Sequence, residues 1–197
     1  MFYITAALFY PDFFNPLKLF FCDLMQIQSE THKSLNFGRP FALLSLISIS
    51  CVIASFFIWF SNQTQWTKPK KLFTKISGSA AAFFTVFLFT SLHDELILIA
   101  SIVGAFPISL VGLELLKMKK KCAPVLGCSA LFLLTFYNLS FYLNLFELLW
   151  PTIQKISIFL CLLWINIFIS KQKNYIPLTK QDKYRFKTLR KRKAYAS

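Results

Sequence analysis

The stretch Phe41–Phe60 runs for twenty residues without a single charged side chain. A helix needs about 20 mostly apolar residues to cross the hydrocarbon core of a bilayer. An uncharged run of this length is typical of a transmembrane helix and exceeds what a core helix of a soluble domain requires. The sequence therefore predicts an integral membrane protein.

Further apolar runs of similar length follow at Leu72–Leu92, Leu96–Leu116, Ala123–Leu143 and Thr152–Ser170. Only His93-Asp94-Glu95 separates the first two of these, which predicts a tight helical hairpin with those residues at its tip. We expect an all-α fold, a polytopic transmembrane bundle over residues 1–170 with five full spans. Residues 171–197 form a basic tail.

The first ten residues, Met1–Tyr10, are apolar but reach only half the length of a span. They lack the basic start and small-residue cleavage site of a secretory signal peptide. They form either a short interfacial helix or the remainder of a span truncated at its start, and we prefer the second interpretation.

The basic residues are distributed asymmetrically. Eighteen of the 22 Lys and Arg residues lie at 68–75, at 117–121 and after Ser170, segments that alternate onto one side of the membrane. Six of the eight acidic residues lie in segments on the other side. Because loops rich in Lys and Arg stay cytoplasmic, this predicts a cytoplasmic C-terminus and an outer loop over 11–40, in the plasma membrane.

This placement explains the net charge of +14 as membrane topology and not as nucleic-acid binding. Membrane lipids are the expected partners. The tail carries ten basic residues, which should contact anionic lipid headgroups at about 1 kcal/mol per residue. No protein partner is indicated.

His93 and Asp94 are the strongest candidates for chemistry, because ionisable groups at membrane depth are functional candidates. A His beside an Asp can ligate a metal or transfer a proton. Alternatively, Ser91 and Asp94 form a capping box that opens the next helix. The two roles are compatible.

Asp23 is the third candidate and lies within the apolar segment Phe20–Leu24. The rings of Phe20 and Phe21 should press this loop onto the bundle and bring the Asp23 carboxylate near His93. The alternative is a loop that aromatic side chains merely anchor at the interface.

Three residues are candidate binding residues. Asn138 lies in the outer third of a span, where its amide needs a partner, either across helices or in a pocket below His93. Lys155 begins the last span and either extends to the outer surface or pairs with an acid there, namely Asp94, Glu95 or Glu147. Arg39 is the third.

Several short motifs lie along the chain at single positions: Tyr10-Pro11, Asn15-Pro16, Phe21-Cys22-Asp23-Leu24, Asn36, Arg39-Pro40 and His93-Asp94. Together they resemble an uncharacterised, domain-of-unknown-function family of six-helix bacterial integral membrane proteins, over the chain up to about Ser170. That family has glycines after Tyr-Pro, where this chain has Asp12-Phe13, and a full first span. The resemblance implies a six-helix bundle. It carries over no activity, because the family is uncharacterised.

The functional prediction is a multi-pass membrane protein with a non-enzymatic binding, assembly or small-solute role. The alternative is a membrane-embedded lipid hydrolase that uses His93, Asp94 and Asp23 as metal ligands or acid–base groups. Such hydrolases normally supply three or more His, whereas this chain has two. The five Cys show no paired spacing for disulfides or zinc. The sequence leaves open whether the protein is an enzyme and which cofactor, if any, it uses.

Overall fold

The structure is a computed structural model that describes residues 1–11, 14–29, 33–117 and 122–171, without the side chains of 122, 123 and 171. Six α-helices follow one another: α1 (Phe2–Leu8), α2 (Arg39–Gln63), α3 (Lys68–Val86), α4 (His93–Leu116), α5 (Cys122–Tyr142) and α6 (Trp150–Lys171). Two short 3-10 helices, Cys22–Met25 and Glu147–Leu149, precede α2 and α6. The predicted tail from 172 onwards lies outside the described residues.

The predicted fold class, an all-α bundle of membrane-spanning helices, is confirmed. Within the described ranges, four segments are long and apolar enough to cross a bilayer: Arg39–Gln63, His93–Leu116, Pro124–Tyr142 and Glu147–Ser170. These match four of the five predicted spans. The fifth, α3, is shorter at 19 residues and has four lysines among its first eight. It is therefore less apolar over the length of a membrane span than the other four.

The connection between α3 and α4 differs from the predicted hairpin. The α3 helix ends at Val86, and residues 87–92 form turns before α4 begins at His93. The hydroxyl of Thr90 donates to the carbonyl of Phe87 at 2.8 Å, a local bond that competes with helix continuation. The three residues predicted as the tip instead form the first turn of α4, where the partial positive charge of the helix favours Asp94 and Glu95.

The α3 helix packs closely against both neighbours through small residues. A Cβ added to Gly78 would lie 2.4 Å from Cγ of Phe57 on α2. On the other side, a Cβ on Gly104 of α4 would lie 3.3 Å from Cβ of Ala81. Apolar burial gives helices no driving force in lipid, so such close approach supplies the packing that holds α2, α3 and α4 together.

Two groups of buried apolar side chains define the interior. The first joins α2, α4 and α6 through Phe60, Leu115 and Trp164, which are each at most 2% exposed. The second joins α1, the 14–29 segment and the start of α2, and includes Phe21 and Leu24. The second group thus fixes the 14–29 segment against the helices.

One hydrogen bond shows which helix termini share an end of the bundle. The indole Nε1 of Trp66, between α2 and α3, donates to Oε2 of Glu114 in the last turn of α4 at 2.9 Å. The start of α3 and the end of α4 therefore lie together, which we call the Trp66 end. The start of α4 and the 14–29 segment lie at the opposite end, the His93 end.

Candidate functional site

The 14–29 segment lies against α1 and the starts of α2 and α6 at the His93 end. Phe21 is buried, and its ring stacks on Tyr3 of α1 with centroids 5.3 Å apart. Phe14 meets Tyr3 edge-on at 6.1 Å. The expectation that aromatic side chains press this loop onto the bundle is met by Phe21, and its neighbours Cys22 and Asp23 follow it inward.

Lys155 connects this segment to α6 through backbone carbonyls. Its Nζ donates to the carbonyl oxygens of Pro16 at 2.8 Å, of Leu19, and of Pro151 one turn earlier at 2.9 Å. An ammonium has three donors, and all three are engaged. The ion pair with Asp94, Glu95 or Glu147, one of the two predicted roles of Lys155, is not formed among the described residues. The three N–H groups of Lys155 bind backbone carbonyls instead. A sequence pattern does not show which backbone carbonyls will be near.

Asp23 is 9% exposed and lies on the same side of the segment as Lys155. Its Oδ2 accepts a hydrogen bond from the backbone N–H of Phe20, which closes the turn before the short 3-10 helix. The carboxylate also interacts electrostatically with the Lys155 ammonium. Among the described residues, it makes no hydrogen bond with His93.

Gln154 is a further connection, to which sequence reasoning gave no role. Its Oε1 accepts from the N–H of Phe21 at 3.0 Å, and its side chain also lies near Cys22 and Tyr137 of α5. The signal that could have found it is the one applied to Asn138: an amide within an apolar span must have partners.

Cys22 is influenced by several charged side chains at this end. Burial raises the pKa of its thiol to about 12, and the negative charges of Asp23 and, more weakly, Asp94 act in the same direction. The thiol therefore remains protonated at neutral pH. A protonated, partly buried thiol is a poor nucleophile.

Asn36 and Arg39 support the same segment from the start of α2. The amide nitrogen of Asn36 donates to the carbonyls of Leu24 at 2.9 Å and Gln26 at 3.1 Å. Nε of Arg39 donates to the carbonyl of Met25 at 3.0 Å. The Arg39 side chain thus positions the loop backbone, and its assignment as a binding residue stays a prediction.

Asn138 makes the interhelical bond that was one of its two predicted roles. Its Oδ1 accepts from the Ser101 hydroxyl of α4 at 2.9 Å, and its nitrogen donates to the carbonyl of Leu134 in its own helix. The amide of Asn138 therefore links α4 to α5 within the span.

His93 and Asp94 form a contact pair at the start of α4. Nδ1 of His93 lies 3.0 Å from Oδ1 of Asp94, with side chains 31% and 82% exposed. Nε2 of His93 is buried and has no hydrogen-bond partner in the described structure. The predicted capping box is wrong: the N-cap is Leu92, not Ser91, and no side chain caps the helix.

The candidate residues thus form two arrangements at the His93 end. One is a set of loop contacts around Lys155, Gln154, Asn36 and Arg39. The other is the His93–Asp94 pair. Within the described ranges, no three His, Cys, Asp or Glu side chains are grouped so that they could hold a metal ion. His32, Glu30 and Asp12 lie outside those ranges.

No family model matches the chain, and neither a curated protein nor a solved structure shows significant similarity to it. The resemblance to an uncharacterised six-helix family therefore stays a prediction.

Proposed function

We propose that this chain is a non-enzymatic component of a bacterial plasma membrane, with a fixed binding surface for assembly at its outer face. The His93 end faces outward and the Trp66 end faces the cytoplasm. The distribution of basic residues supports this orientation, since eighteen of 22 lie at 68–75, at 117–121 and after Ser170, and the first of these segments lies at the Trp66 end.

The observation that carries the proposal is how the polar side chains at the His93 end are used. Two of the three donors of Lys155 bind carbonyls of the 14–29 segment and the third binds Pro151 of its own helix, while both ends of the Asn36 amide bind loop backbone. A general acid or base must reach the proton it transfers. These groups instead hold the 14–29 segment in one conformation, which supports a role as a preformed surface.

The second candidate is the lipid hydrolase, and one observation favours it. With Nδ1 of His93 against Asp94, the free Nε2 is oriented as in a histidine that ligates a metal or accepts a proton. Asp23 would then act on Lys155 and not on the reacting atoms.

Complementation of a deletion strain separates the two functions. A non-enzymatic surface predicts that His93→Ala restores the wild-type phenotype, whereas Lys155→Met, which releases the loop, does not. Both variants must be inserted at wild-type levels by immunoblot. The opposite result, failure of His93→Ala with success of Lys155→Met, would overturn the proposal and favour the hydrolase.

Metal analysis of the purified protein gives an independent check. We expect no stoichiometric zinc that depends on His93 and Asp94. Stoichiometric zinc that disappears in His93→Ala but remains in Glu147→Ala, which alters an exposed acid near the same end, would contradict the non-enzymatic proposal.

A further inference from the structure

A stripe of lysines runs along α3 at the Trp66 end. Lys68, Lys71 and Lys75 follow one another at helical spacings of three and four, so they share one face of α3. Lys68 is exposed, and the other two are partly exposed. The stripe extends about 10 Å along the helix axis, at 1.5 Å per residue.

No carboxylate neutralises this stripe in the part of the chain that the structure describes. The acid at the same end, Glu114, accepts from Trp66 at 2.9 Å and from Lys117 at 3.3 Å. The neighbouring Lys70 lies over the Trp66 ring, 4.5 Å from its centroid. The positive charge of the stripe therefore lacks a partner within the described protein.

The surface beyond the lysines is apolar and faces outward from the bundle. Leu72, Ile76 and Phe83 are 59%, 61% and 59% exposed and lie on one face of α3. Their buried counterparts, Gly78 and Ala81, face α2 and α4. Leu72 thus lies beside the lysines, and Ile76 and Phe83 continue the apolar strip past Lys75 towards the His93 end.

This order matches the order of chemical groups in a phospholipid. Lys75 lies deep enough that its ammonium must extend back towards the headgroups, which brings its charge level with that of Lys71. Trp66 marks the same level, since Trp side chains concentrate at the membrane interface. A soluble anion would match the lysines but not the apolar strip beside them.

We infer that Lys68, Lys71 and Lys75 bind the headgroup of an anionic phospholipid whose acyl chain lies along Leu72, Ile76 and Phe83. The lipid belongs to the leaflet at the Trp66 end. This site is distinct from the basic tail and does not depend on the proposed function at the other end of the bundle.

Native mass spectrometry of the full chain in detergent tests the inference, with dioleoyl phosphatidylglycerol or dioleoyl phosphatidylcholine added in titration. The wild type should retain the phosphatidylglycerol preferentially. Lys71→Gln/Lys75→Gln should weaken the tightest phosphatidylglycerol binding roughly 30-fold, or about 2 kcal/mol for two lysines near the lipid charge. The tail is unchanged in every variant, so differences report on α3.

The matched control is Lys117→Gln, which removes a lysine at the same end whose charge Glu114 already pairs. It should bind phosphatidylglycerol as the wild type does, and Lys71→Arg/Lys75→Arg should also retain binding. If the double Gln variant does not fold, the two single variants replace it, each with a smaller loss. Equal losses in Lys117→Gln and the α3 variants, or no loss in the α3 variants, would overturn the inference.

Discussion

At the residue scale, Lys155 shows how a charged side chain is accommodated at the end of an apolar helix. Its Nζ is surrounded by carbonyls of Pro16, Leu19 and Pro151, so the hydrogen bonds that water would provide come from a loop and from the helix itself. Because two of these acceptors belong to the 14–29 segment, one side chain on α6 fixes a segment about 136 positions earlier in the sequence.

Replacing Lys155 by Met should release this segment. Hydrogen bonds to a charged group contribute about 1.5–3 kcal/mol each. Because Lys155 is partly exposed and water can replace part of its three bonds, we expect Lys155→Met to lower the free energy of unfolding by about 2–3 kcal/mol. Thermal unfolding in detergent and protease cleavage within 14–29 measure the effect. Lys18→Met, which changes an exposed lysine of the same segment, should behave as the wild type; equal cleavage of both variants would argue against the contacts described.

Cys22 gives a pH-dependent prediction. Burial, followed by the charge of Asp23, raises its thiol pKa from the ordinary 9.0 to about 12. The folded state therefore favours the neutral thiol, and the stability from this group is complete below pH 9 and is lost as the pH rises towards 12. At pH 8, maleimide should leave Cys22 unlabelled in the folded protein and label it in denaturant.

Peptide mass spectrometry reads the labelling at Cys22 directly. A Lys33→Cys variant provides an exposed thiol in the neighbouring loop as a positive control. Labelling of Cys22 in the folded protein as fast as that of the introduced cysteine would contradict this account. It would show that the surrounding side chains do not keep the thiol protonated.

The sequence predicted individual polar residues unevenly, for a physical reason. Asn138 lies within an apolar run, so its need for a partner on another helix was visible, and Ser101 provides it. Lys155 and Gln154, by contrast, bind backbone groups of the loop. Because every residue carries such groups, any loop position could have provided them. Side-chain patterns therefore carry no information on which loop position will supply the carbonyl or N–H.

At the element scale, the helix boundaries follow apolar run length except where polar residues interrupt. The ends of α2, α5 and α6 lie within three residues of their predicted spans. The prediction was wrong at the connection between α3 and α4. There, His93-Asp94-Glu95 was predicted to form a loop, because charged residues are disfavoured within the membrane interior. In the structure these acids occupy the first helical turn, because the helix dipole stabilises them there.

The close packing of α3 on α2 makes Gly78 sensitive to a single methyl group. Ala normally stabilises a helix relative to Gly by about 1 kcal/mol. At Gly78, however, the added Cβ would lie 2.4 Å from Cγ of Phe57, the ring atom nearest the backbone. The Phe57 side chain is buried and cannot easily move away. We expect Gly78→Ala to destabilise the bundle by about 1–3 kcal/mol, in the range of overpacked cores.

Gly112→Ala is the matched control on α4, because its added Cβ would make an ordinary contact of 3.6 Å with Leu131. Thermal unfolding in the same detergent should show Gly112→Ala equal to or more stable than the wild type. If both substitutions stabilise the protein, α2 and α3 are not as close as described.

At the scale of the whole molecule, the two ends of the bundle have different chemistry. The Trp66 end carries the lysines of α3 and Lys117, and only Glu114 among the described acids accompanies them. The His93 end carries Asp23, Asp94 and the loop contacts of Lys155. This polarity follows from the loop charges and could be predicted from sequence, whereas the contacts within each end could not.

The central claim is that the His93 end faces outward and the Trp66 end faces the cytoplasm, and cysteine accessibility in intact cells tests it most directly. In a background without other cysteines, a membrane-impermeant maleimide should label Lys33→Cys in intact cells. It should label Lys68→Cys only after the cells are permeabilised. Labelling of Lys68→Cys in intact cells, with Lys33→Cys protected until permeabilisation, would contradict the orientation and with it the assignment of the 14–29 segment as an outer surface.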